Sequence, residues 1–221
     1  MDPAERFAQI IGGAPTPWSL DVVCTLISAA FTHRNRTDEV LTALDDLADA
    51  CAEPTMEAVL AVMRPRLHGN AEDYYDPRNS FIDEVLERGV GLPITLSVIA
   101  IEIGRRIGAP ISGIGPPRHF MVRDGRRALF GDPFHDGAIY DRPGLIEAWD
   151  RLMGPEHPFD DLHLVPLSER AILIRMLNNL RALYVPRGEP VAMYSLAIMR
   201  GAFVELVHEA PEHAKWVRAW N

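Results

Sequence analysis

The sequence predicts an α+β protein: a buried central helix packed on a small antiparallel sheet, with helical regions at both ends. Three observations lead there. Residues 94–107 are apolar on nearly every side of a helical period until Arg105, the pattern of a helix enclosed in a domain. After Gly108-Ala109-Pro110 the period shortens to strand-like runs. Long stretches on either side carry apolar residues at helical spacing. The 221 residues suffice for one core with an appendage or for two small domains. The expected division is a helical region over 1–70, an α+β core over 71–166, and a helical pair over 167–221.

In the first region, Trp18 to Thr32 places apolar residues at 20, 23, 24, 27, 30 and 31 on one stripe. Thr37 is expected to cap a second helix bearing Val40, Leu41, Leu44 and Leu47. Pro54-Thr55 starts a third, with Met56, Val59, Leu60 and Met63 inward. An irregular link follows, and Ser80-Phe81-Ile82-Asp83 has the form of a capping box opening a short helix to about Glu87. Pro93 suits the first turn of the central helix, where a missing N–H costs nothing. Strands are expected at Ile111–Gly115, His119–Arg123 and Arg127–Asp132, the last two joined at Asp124-Gly125. Ala138–Tyr140 adds an edge, and Pro143–Met153 is helical. Ser168 caps a helix over Ala171–Val185, and Pro190–Val207 forms another. Those two have the size of one tetratricopeptide-like unit, which must pack on the rest of the chain.

Composition narrows the function. An apolar share of 48% with a mean hydropathy of −0.03 describes a globular protein. The longest uncharged apolar run is far too short for a bilayer, and no leader-like pattern opens the sequence. A cytoplasmic location without membrane contact is therefore expected. A net charge of −9 argues against nucleic-acid binding. Two unspaced cysteines, Cys24 and Cys51, form neither a disulfide framework nor a zinc knuckle, and read as small buried hydrophobes. Arg105, Arg106, Arg118, Arg123, Arg126 and Arg127 crowd one stretch. A solvated helix end and hairpin tip is the preferred reading, a receptor for an anionic group the sharper one.

The order of Gly91–Ser97, His119 and Asp132 is that of a thiol-dependent acyl-transfer site. There a helix start holds the nucleophile, a strand-borne His moves its proton, and an Asp on the next strand fixes the His tautomer. The sulfur is absent. Thr95 and Ser97 are the nearby hydroxyls, and their expected role is to bond back to a carbonyl one turn earlier. His119, Asp132 and His135 have the residue types of a two-His-one-carboxylate metal site, but the spacing matches no helix-borne motif. His135 is expected as an exposed loop residue, so no metal and no cofactor is expected. Asn79 is read either as holding the helix start at Ser80 or as binding a substrate carbonyl.

The run Tyr75-Asp76-Pro77-Arg78-Asn79-Ser80-Phe81 resembles the SirB1 family, as do Glu84–Arg88, Gly91–Ser97, His119–Arg123, Asp132-Pro133-Phe134 and Leu177–Tyr184. These are bacterial proteins of the transglutaminase-like superfamily, often with tetratricopeptide-like C-terminal helices. The resemblance covers most of the chain from about Leu20. It implies a transglutaminase-type core in which the cysteine position falls at or beside Pro93, the histidine on His119 and the aspartate on Asp132. The Gly-x-Pro-Ile form is common in that family. Arg118 departs from it, standing where a Gly usually precedes the His, and is expected to narrow the site or bind there. The leading expectation is a non-catalytic scaffold for a protein or peptide partner. The alternative is a hydrolase or acyltransferase using His119 and Asp132 with a water or hydroxyl nucleophile. A third reading makes the pair a structural brace for the hairpin.

Overall fold

A computed structural model describes residues 1–13, 17–154, 156 and 158–220. The first helix, α1 (Pro3–Gly12), was not assigned from sequence, although its signals are ordinary ones. Asp2 accepts hydrogen bonds from the Ala4 and Glu5 amides, Pro3 occupies the first turn, and Ala4, Phe7 and Ile11 face inward. Next come α2 (Leu20–Thr32), α3 (Thr37–Asp49) and α4 (Met56–Met63). α4 starts after Pro54-Thr55 as expected, with Thr55 capping it through the Ala58 amide. Thr37 does not cap α3: it is the first helical residue, and its hydroxyl bonds Asn35 and Thr25 instead.

A parallel pair of two-residue strands, β1 (His68–Gly69) and β2 (Val90–Gly91), frames the approach to the central helix. Between them lie a 3₁₀ turn at Pro77–Ser80 and α5 (Ile82–Arg88). The capping box at Ser80 is not formed. The 3₁₀ turn takes up Ser80, Phe81 becomes the cap residue, and the Ser80 hydroxyl is buried without a partner. The central helix α6 (Pro93–Ile107) buries every residue from Pro93 to Ala100 and ends at Gly108, whose φ of 72° suits glycine.

Four strands then form an antiparallel sheet in sequence order: β3 (Ile111–Ile114), β4 (Met121–Asp124), β5 (Leu129–Asp132) and β6 (Ala138–Asp141). One face, through Ile111, Val122 and Gly131, meets α6 and α4 and belongs to the main core. The other, through Ile114, Met121 and Phe130, packs with Leu145 of α7 (Arg142–Met153). Both faces are covered, so the apolar–polar alternation of a half-exposed sheet is absent.

Ser168 caps α8 (Glu169–Tyr184) through the Ala171 amide. The second tail helix is shorter than expected: α9 (Pro190–Gly201) stops, Phe203 turns extended into the core, and a 3₁₀ turn at Val204–Glu209 leads to α10 (Ala210–Trp220). The main core draws on residues from Ala4 to Trp216, so all three stretches of sequence contribute to one interior. Among the described residues no helix is long and apolar enough to cross a membrane.

Candidate functional site: a histidine–aspartate–histidine cluster on an apolar pocket

Asp132 ends β5, and the turn after it fixes the carboxylate. Oδ1 accepts hydrogen bonds from the Phe134 and His135 amides at 3.1 and 3.2 Å. Oδ2 accepts from His119 Nε2 and from His135 Nδ1, each at 2.7 Å. Phe134, between the two, lies against Gly69 of β1, where a Cβ would stand 2.4 Å from the Phe134 carbonyl. Burial pushes the Asp132 pKa upward, and the hydrogen bonds from His119 and His135 outweigh it, holding the carboxyl well below the usual range. The same bond to Asp132 raises the pKa of His135.

His119 was expected inside a strand but precedes β4, in a loop from Gly115. Pro116 and Pro117 have no N–H for a ladder, and Arg118 has a φ of 62°. The loop is held by a side chain instead: Arg175 of α8 donates to the Gly115 and His119 carbonyls at 2.8 and 2.9 Å. Its guanidinium also lies 5.2 Å from the centre of the Phe120 ring. Arg175 was not singled out from sequence; its signal is an arginine inside the apolar run Ala171–Leu177 of α8.

The cluster opens on a pocket of about 360 Å³. Its walls are Ile114, Pro116, Met121, Tyr140, Leu145, Ala148, Trp149, Phe159 and Leu164, with Arg151 also lining it. Ile114, Met121 and Tyr140 come from the sheet, and Leu145, Ala148 and Trp149 from α7, which faces it. No residue of α6 lines the pocket. The sequence pointed to a cleft beside Pro93, whereas the cavity next to His119 and Asp132 lies on the α7 side of the sheet. Pro93 is buried at the start of α6.

Thr95 and Ser97 are both fully buried, and neither hydroxyl makes the back-bond expected of it. Neither lines the pocket. Cys24 is buried in α2 with its sulfur 3.7 Å from that of Met176, and burial and the nearby Glu102 and Asp21 push its pKa well up.

Two expected binding residues are placed elsewhere. Asn79 is completely buried. Its Nδ2 donates to the Asp73 carbonyl at 2.7 Å and its Oδ1 accepts from Asn70 at 3.1 Å, while its own carbonyl takes the Leu92 amide. It braces the entry to α6 and offers no free amide to a substrate. Arg118 is exposed and does not line the pocket. Its left-handed backbone explains why glycine would suit the position.

His135 is the reverse case. Its side chain is 55% exposed, as a loop residue should be, yet it bonds the buried carboxylate. An Asp followed three residues later by a His, across a Pro-containing turn, was the available signal. The arginine-rich stretch is used internally: Arg105 and Arg106 pair with Asp21 and Glu102, Arg127 with Glu57 and Asp124, and Arg123 donates to the Leu164 carbonyl.

A buried helix, a following antiparallel sheet, and a pair of His just before β4 and Asp at the end of β5 define an α+β domain of the transglutaminase type. A model of the transglutaminase-like superfamily matches residues 26–178, and the chain belongs to that superfamily. Similar curated proteins include the UPF0162 protein of Xylella fastidiosa, 44% identical over 124 residues, which are 52% of this chain and 43% of that protein. The UPF0162 protein of Pseudomonas aeruginosa is 31% identical over 150 residues, covering 67% of this chain and 54% of its own length. Human F-box only protein 21 is 36% identical over 124 residues, 53% of this chain and 19% of that protein. The chain thus spans about half the length of the UPF0162 proteins it matches. No solved structure is significantly similar.

Proposed function

We propose that this domain binds a segment of a protein or peptide in the pocket beside His119 and Asp132, without acyl transfer. One observation carries the reading: among the described residues that line the pocket there is no cysteine, serine or threonine. A His–Asp pair can activate a nucleophile only within hydrogen-bond reach. What remains is an apolar cavity with aromatic walls and a polar end, a form suited to holding an apolar side chain and orienting one hydrogen-bonding group. We place the chain in the SirB1 branch of the superfamily, on the motifs from Tyr75 to Tyr184. With that branch go a tetratricopeptide-like role for the α8–α9 helices and a cytoplasmic location.

The test is a peptide-array screen followed by titration of the best sequences, read by Trp fluorescence with chelator present. Saturable binding that Trp149→Ala weakens at least tenfold, with no product formed, supports the reading. The 2.7 Å bond between His119 and Asp132 favours one other reading, a hydrolase in which His119 takes a proton from water. Turnover of a bound peptide that disappears in His119→Ala would establish that reading and overturn ours.

A further inference from the structure

We infer that His119, Asp132 and His135 form a binding site for one divalent transition-metal ion, zinc by the character of the donors. The donor atoms, one from each residue, lie within 4.8 Å of one another. Two imidazole nitrogens converge on a single carboxylate oxygen, each at 2.7 Å. Zinc bonds to nitrogen and carboxylate oxygen at about 2.0–2.2 Å, and the edge of such a tetrahedron is about 3.3 Å. Admitting the ion therefore requires the two contacts to Oδ2 to open by roughly 0.6 Å each, the order of a small ring rotation.

The surroundings favour the ion over a plain hydrogen-bonded trio. Of the buried carboxylates, Asp21, Asp76, Glu102 and Asp124 each meet at least one arginine, whereas neither oxygen of Asp83 has a hydrogen-bond partner among the described residues. Asp132 is as deeply buried, and among the described residues no arginine or lysine pairs with it. Its two partners are imidazoles, which carry no fixed charge; a bound cation supplies one. The aspartate is also oriented for the task. Its Oδ1 is occupied by two backbone amides, which leaves Oδ2 directed at both rings. Two histidines and one carboxylate leave at least one coordination position free in a tetrahedral site. Since all three residues line the pocket, a water or a donor atom from a bound segment can take that position.

The inference does not rest on the peptide-binding reading, and its test contains no peptide. The untagged 221-residue protein is stripped with chelator, dialysed, and titrated with zinc in competition with a chromogenic chelator. Cobalt is then substituted to record its visible ligand-field bands. The expected result is one equivalent of zinc, a cobalt spectrum of tetrahedral or five-coordinate type, and affinity reduced at least tenfold in His135→Ala and in His119→Gln. The half-exposed His135 can be removed without opening the core, so that variant stays informative if Asp132→Asn folds poorly. His208→Ala, outside the cluster, should bind as the parent does. Folded protein that takes up no stoichiometric zinc or cobalt overturns the inference. Uptake that is equal in parent, His135→Ala and His119→Gln reports adventitious coordination and also overturns it.

Discussion

Asp132→Asn in metal-free protein tests the cluster most directly. The residue is 4% exposed, and its carboxylate accepts four hydrogen bonds, two from imidazoles and two from amides. Asparagine preserves the volume and one carbonyl oxygen, but its NH₂ must face either the two ring nitrogens or the two backbone amides. Charge-assisted bonds contribute about 1.5–3 kcal/mol each and neutral ones about 1 kcal/mol. Relief of the carboxylate's desolvation offsets part of that difference. The balance is a loss of about 2–3 kcal/mol at pH 7. At 2–4 °C per kcal/mol for a chain of this length, Tm should fall by roughly 4–12 °C.

The dependence on pH follows from the two shifts. Asp132 has a lowered pKa in the folded state. Its contribution is therefore complete above the unfolded value of about 3.9 and is lost as pH falls through the folded value. His135 has a raised pKa, so its contribution is complete below about 6.5 and is lost as pH rises through the folded value. The gap between parent and variant should thus be widest between about pH 4 and 6.5 and shrink below that window. Urea denaturation with chelator present, followed across pH, measures it. A gap under about 0.5 kcal/mol at pH 5, or one still widening below pH 3, would refute the reasoning.

Three further outcomes are expected. Arg118→Gly should stabilise the fold by about 0.5–1 kcal/mol, because a side chain at φ 62° costs roughly 1–2 kcal/mol and glycine's greater chain entropy takes back part of it; a loss on thermal denaturation would contradict this. Gly69→Ala should cost about 1–3 kcal/mol, since the added methyl meets the Phe134 carbonyl and ring. The same substitution should disturb the His135–Asp132 contact, visible as a shift in the His135 NMR titration. Ser97→Ala should be neutral or stabilising by up to about 1 kcal/mol, as its hydroxyl is buried without a partner; a loss of more than 1 kcal/mol on urea denaturation would show that the hydroxyl has a partner in solution.

Much of this fold was legible because its longest elements carry strong periodicity. The helix from Pro93 to Ile107 and the Ser168 cap lie where the sequence indicates, and the expected hairpin forms, its connection running over 125–128 instead of turning at Asp124-Gly125. The two-residue strands at His68 and Val90 are too short to show any period. The capping box failed because local pattern cannot reveal that a 3₁₀ turn takes up Ser80. The meeting of His119 with Asp132 followed from order along the chain, but the side of the sheet they face did not. Phe120, Met121 and Val122 are all apolar, and all are buried on one face or the other. Alternation therefore gives no parity there, and the pocket's location had to come from the fold. His135 was set aside on its spacing and its exposed loop position, neither of which says where its Nδ1 points.

Arg175 gives the C-terminal helices a hold on the pocket. One guanidinium, carried by α8, grips the loop that carries His119 at both ends. Displacement of α8 would pull on the His119 backbone, and an occupant that moves His119 would strain the same two bonds. By reciprocity, whatever leans on the tail of the chain and whatever enters the pocket would each alter the affinity of the other. A fragment ending before α8 would retain the three cluster residues and lose the tether that sets their spacing.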